Sequence, residues 1–164
     1  MIRPGHLEGI AVQRLAAADF RAAYPLVRAA IPTLGLDSWL RFARRIADPD
    51  RAGRSGIMAA WRKSRPYPAG LFWYRRDCDL ECGTALHAHG FIAIDIIDHR
   101  PIVHALVAAL EELGNTLGCQ VIRPVIDIDA DGLLHALLAA GYRREAATFG
   151  KAVASASLSC PRPE

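Results

Sequence analysis

Lysine is almost missing from this chain of 164 residues: of its 20 basic side chains only Lys63 and Lys151 are not arginine. A long basic run is missing too. Short groups occur at Arg44-Arg45, Arg62-Lys63 with Arg65, Arg75-Arg76 and Arg143-Arg144, and the formal net charge is only +3. Scattered arginine of this kind reads as a solvated surface rather than a nucleic-acid footprint, although a subset could pair with an anionic cofactor, because guanidinium meets phosphate bidentately. No apolar run is long enough to span a membrane and no signal peptide is legible, so the expected setting is cytoplasmic, with the thiols of Cys78, Cys82, Cys119 and Cys160 reduced. Internal repeats and linkers are also absent.

What is present is a globular composition, 52% apolar and 23% charged. The length suits one domain, expected over residues 1–153, followed by a loose Ser- and Pro-containing tail at 154–164.

The apolar pattern lays out the elements. Ile10 to Leu15 reads as a short strand. Phe20, Tyr24, Leu26, Val27 and Ile31 recur at helical spacing up to Pro32, and a second helix runs from a cap at Asp37-Ser38 through Ile46. Gly56 to Arg62, Gly70 to Arg75 and a long run from Thr84 to Ile97 then form an antiparallel meander. In the long run Leu86, Ala88, Gly90, Ile92, Ile94 and Ile96 take one face, and His87, His89, Phe91, Ala93, Asp95 and Ile97 the other, barring a bulge. Pro101 opens a helix with Val103, Leu106, Val107, Leu110 and Leu113 as its stripe. Gln120 to Ile128 reads as a strand, Asp131 to Ala140 as a helix closed by Gly141, and Tyr142 to Val153 as a last strand pair or one bent strand. The fold class is α/β in the mixed α+β sense: a largely antiparallel sheet flanked by helices.

Two metal patterns are incomplete. Cys78, Cys82, His87 and His89 offer zinc-type ligands without a standard spacing, and alternation in a strand explains the histidines equally well. Asp127-Ile128-Asp129-Ala130-Asp131-Gly132 matches half of an EF-hand loop, but its twelfth position is Leu138 rather than a bidentate Glu. No metal is therefore expected. Trp39, Trp61 and Trp73 read as core or cleft-wall residues.

The order of elements resembles the GNAT superfamily of acetyl-CoA-dependent N-acyltransferases. Val12-Gln13-Arg14-Leu15-Ala16-Ala17-Ala18-Asp19-Phe20 is similar to the family's first strand and helix start. Leu106-Val107-Ala108-Ala109-Leu110-Glu111-Glu112 through Gly118-Cys119 is similar to its cofactor helix, and Asp129 through Leu137 to Gly141-Tyr142 resembles the stretch that closes its last helix. The resemblance covers roughly residues 10 to 153. It implies transfer of an acetyl or related acyl group from acetyl-CoA or another acyl-CoA to an amine on a small molecule or peptide. Neither nucleic acid nor membrane is implied as a partner, and a homodimer is compatible with it.

In that family a glycine-rich loop lets backbone N–H groups approach the pyrophosphate at a helix N-terminus. The corresponding Asp98-His99-Arg100-Pro101-Ile102-Val103 contains no glycine. Pro101 removes a donor and Asp98 can cap the helix itself, so Arg100, His99 and His104 are expected to return positive charge through side chains. The cofactor-binding set implied by the resemblance is Ile96, Ile97, His99, Arg100, Ile102, Val103 and His104. Leu137 stands where many members carry an acidic tyrosine, which leaves the acid unassigned. The base is expected on the long strand, at Asp95 with His89 as its neighbour on the same face. The alternative is a GNAT-fold binding or assembly subunit without catalysis, which the glycine-free loop and Leu137 both favour.

Overall fold

The computed structural model describes residues 9–95, 98–126 and 131–145. Among the described residues five strands form one sheet in the order β1-β2-β3-β4-β5: Ile10–Arg14, Ser55–Arg62, Pro68–Asp79, Gly83–Ala93 and Val121–Pro124. The first three pairings are antiparallel and β4 with β5 is parallel. The helices are α1 Phe20–Ala30, α2 Leu36–Ile46, α3 Arg100–Thr116 and α4 Asp131–Ala139. A parallel pair needs a crossover, and α3 supplies it between β4 and β5.

Alternation along the strands builds two apolar layers. Met58, Ala60, Phe72, Tyr74, Leu86 and Ala88 pack with Ile102, Leu106 and Leu110 of α3. Their neighbours Ile57, Ala59 and Leu71 face the other way, against Phe20, Leu26 and Val27 of α1 and Trp39 and Leu40 of α2. A third cluster joins Val103 and Val107 of α3 to Leu133, Ala136 and Leu137 of α4, with Phe91, Ala93 and Tyr142 packed against it.

The ends of α3 follow from sequence. Pro101 occupies its first turn, where a missing N–H costs nothing to the helix. At the other end Gly118 has φ of 64°, and the N–H groups of Gly118 and Cys119 donate to the carbonyls of Asn115 and Gly114. That arrangement needs a residue tolerant of the left-handed region, which glycine is.

Several boundaries differ from expectation. The second helix begins one residue earlier, with Gly35 at its cap and no side-chain cap bond, so Asp37 and Ser38 lie in its first turn. The middle strand of the meander is longer, because its pairing with β4 continues to Asp79 opposite Gly83. The strand expected to reach Ile97 ends at Ala93, and the one expected over 120–128 spans Val121–Pro124. Tyr142 to Glu145 take no regular structure. The rest of the expected last strand pair, the tail, and Asp127 to Ala130 of the calcium-like run lie outside the described residues.

Candidate functional site

The parallel contact between β4 and β5 is short. Ala85 to Ala88 pair with Val121 to Pro124, and the Val125 N–H donates to the Ala88 carbonyl at 2.7 Å. Beyond this point β4 has no strand partner on that side among the described residues, although it continues to Ala93.

At the same place β4 bulges. His89 lies opposite Trp73 and Ile92 opposite Leu71, so Gly90 and Phe91 together face the single residue Phe72. Gly90 has φ of 60°, and a Cβ on it would come within 2.8 Å of the Trp73 Nε1. Both facts select glycine. The extra residue inverts the alternation: Phe91 and Ala93 pack on the α3 side with Leu86 and Ala88, whereas Ile92 packs on the α1 and α2 side. The single-face set inferred by uninterrupted alternation is thereby corrected, and His89 and Asp95 are not linked by it.

His89 itself lies on Trp73, with ring centroids 4.3 Å apart and planes 15° from parallel. Trp73 is held edge-on by Phe42 of α2 at 5.6 Å, and His87 follows at 6.4 Å from His89. Burial holds the His89 imidazole below its ordinary value; His87 and Arg75 push the same way and Asp77 opposes them. A neutral imidazole is thus available at neutral pH, beside the end of the pairing of β4 with β5.

The start of α3 closes the same end of the sheet, and its donors are occupied. The Arg100 N–H donates to Asp98 Oδ1 at 3.0 Å, Pro101 has none, and the N–H groups of Ile102 and Val103 both reach the His99 carbonyl, at 3.0 and 3.1 Å. Arg100 Nε also donates to both Asp98 oxygens, at 3.0 and 3.2 Å. This pairing lowers the Asp98 pKa and raises that of Arg100. Ile102 and Val103 are core residues, while His99, Arg100 and His104 are exposed. Ile96 and Ile97 lie outside the described residues.

The fold of this chain recurs in solved structures. Glucosamine-6-phosphate N-acetyltransferase from Arabidopsis thaliana superposes with a TM-score of 0.70 at 13% identity, over 88% of this chain and 99% of that one. Aminoglycoside N-acetyltransferase AAC(6')-Iy in complex with CoA gives 0.73 at 14% identity, over 90% and 97%. The fold is that of the GNAT acetyltransferases. A structure described as a transcriptional regulator from Bacillus halodurans C-125 gives 0.75 at 12% identity, over 88% and 99%, so this fold carries more than one name. No family model matches the sequence, and no curated protein matches it either.

Within the GNAT fold, Asp95 sits just past the end of β4 and its side chain is only 3% exposed. Arg62, at the end of β2, contacts one carboxylate oxygen directly, and Arg65 stands 3.7 Å from the other. His89 pairs with Trp73, whereas the Ile94 N–H donates to the Ala69 carbonyl, so at about 3.3 Å per residue along β3 Asp95 lies roughly 13–17 Å from His89. One small amine cannot use both.

Leu137, expected from the resemblance at the place of the family's tyrosine, is buried in the cluster shared by α3 and α4. Tyr142 packs there too. Its hydroxyl is buried without a hydrogen-bond partner among the described residues, and burial, helped by Glu111, pushes its pKa up to about 12. Cys78 and Cys82 are exposed near the β3–β4 turn, and no group of three or more potential metal ligands occurs among the described residues. Sequence reasoning read Trp73 as a core or cleft-wall residue without its stacking on His89, and did not name Arg62 and Arg65 as the arginines beside Asp95. Gly90 inside an otherwise continuous strand pattern was the signal for the bulge that arranges the site.

Proposed function

We propose that the protein is an N-acyltransferase that moves an acyl group from an acyl-CoA thioester to an amine, with His89 as the base. The observation that carries this reading is the coincidence of three features at one point: the end of the pairing of β4 with β5, the bulge at Gly90, and a neutral imidazole on Trp73. The thioester lies in a gap there, its carbonyl accepting from β4 backbone N–H groups that lack a strand partner among the described residues. His89 takes a proton from the acceptor ammonium, and the amine attacks the thioester carbon. The C–N bond forms, the C–S bond breaks, and the thiolate leaves to be protonated from solvent, since Leu137 offers no acid. Asp95, paired with Arg62, is not the base on this reading.

Phosphate binding then falls to side chains. His99, Arg100 and His104 surround the start of α3, but Arg100 must first be drawn from Asp98.

A second reading, a GNAT-fold binding subunit without catalysis, is favoured by the occupied donors at α3 and by Leu137. Acyl transfer from acetyl-CoA to a panel of primary amines separates the two. The acyltransferase reading expects turnover in the wild type and a loss of about 100-fold or more in His89→Gln. Acetyl-CoA binding with no transfer to any amine favours the binding subunit.

A further inference from the structure

A second recess lies apart from the β4–β5 gap, between α1 and the turn that joins β2 to β3. Its volume is about 230 Å³, and its apolar wall includes Pro25, Leu26, Ala29, Tyr67 and Ile94. Arg65 and Asp95 provide the charge. An apolar cavity of roughly 150 Å³ accepts benzene, so this one suits a ligand of about ten to fifteen non-hydrogen atoms.

The polar groups select the ligand. Asp95 is almost fully buried and engaged by Arg62. Arg65 is different: it lines the recess, its side chain is 27% exposed, and its one ion-pair contact among the described residues, at 3.7 Å to Asp95, is longer than a hydrogen bond. No side-chain hydrogen bond from Arg65 occurs among the described residues. Two guanidiniums therefore meet one carboxylate, and the more weakly held of them faces the apolar recess. A planar fork of donors at the edge of an apolar wall is matched by a carboxylate on an apolar body.

We propose that this recess binds a small apolar monocarboxylate, with Arg65 taking the carboxylate and the α1 face taking the hydrocarbon. The recess lies against α1, and neither His89 nor Trp73 is among its described lining residues, so the proposal does not depend on acyl transfer.

The test is calorimetric titration of the full chain, without acetyl-CoA, using 3-phenylpropanoate, 4-methylpentanoate and phenethylamine. Both carboxylates bind and the amine does not. Arg65→Gln weakens the carboxylates by about tenfold to 100-fold, the effect of losing a charge-assisted hydrogen bond. Ala29→Phe, which fills the recess from an exposed helix position, abolishes their binding while the circular dichroism spectrum is kept. The proposal is overturned if neither carboxylate binds up to about 5 mM. It is equally overturned if phenethylamine binds as well, or if Arg65→Gln or a folded Ala29→Phe keeps wild-type affinity.

Discussion

Asp98 accepts a hydrogen bond from the backbone N–H of Arg100 and pairs with its guanidinium at the same time, so one carboxylate engages both the first backbone donor of α3 and the cation beside it. Removing it should help rather than harm. Asp98→Ala frees the Arg100 side chain and one N–H, and is expected to tighten acetyl-CoA binding about tenfold. Adding Arg100→Ala to that variant should cancel the gain. Titration calorimetry on the wild type, the single and the double variant checks this, and an unchanged or weaker affinity in Asp98→Ala would show that the carboxylate does not compete.

The His89 imidazole predicts the pH dependence. Its folded-state pKa lies below the ordinary 6.5, with burial as the main cause. The base is therefore neutral, and kcat/KM flat on its account, down to below pH 6.5; the acid limb lies lower. Trp73→Ala exposes the ring and moves that limb up toward 6.5. The same shift has a stability sign: a histidine with a depressed pKa favours the unfolded chain when protonated. Its contribution is thus complete above pH 6.5 and lost as the pH falls through the folded value. A pH–rate profile whose acid limb sits above 6.5 in the wild type would contradict the assignment.

Gly90 should not tolerate a side chain. Alanine there meets Trp73 at 2.8 Å and has to adopt φ of 60°, so Gly90→Ala is expected to cost about 1–3 kcal/mol and displace the indole from His89. Denaturant unfolding measures the first effect, and a shift of the His89 titration by NMR the second. Stability and titration both unchanged would mean that the bulge is soft.

The element order was legible because helical and strand periodicities are strong over α1, α3 and the meander, where Leu106, Leu110 and Leu113 or Ile57 and Ala59 commit a face to a core. The site was less legible. Asp95 and His89 were assigned one face by counting in twos, and a single extra residue at Gly90 undid that count. Long-range partners carry no local signal: the engagement of Asp95 by Arg62 and Arg65, and the stacking of His89 on Trp73, depend on strand register rather than on spacing along the chain. The occupied donors at α3, by contrast, were foreshadowed by Asp98 and Pro101.

Tyr142 offers a check on packing. A buried hydroxyl without a partner is destabilising relative to phenylalanine, so Tyr142→Phe should leave stability unchanged or raise it by up to about 1–2 kcal/mol near neutral pH. With a folded pKa of about 12 against an ordinary 10, the wild type should also lose stability as pH rises from 10 toward 12, and the variant should lack that contribution. A loss of stability in Tyr142→Phe at neutral pH would reveal a partner for the hydroxyl.

The most direct measurement is a paired titration of the full chain with acetyl-CoA and with S-acetyl-pantetheine, which keeps the thioester arm but lacks the pyrophosphate and nucleotide. If the thioester arm occupies the gap between β4 and β5 and the α3 donors are already satisfied, both bind with one-to-one stoichiometry and affinities within about tenfold of each other. Absence of binding by either compound would contradict the central claim.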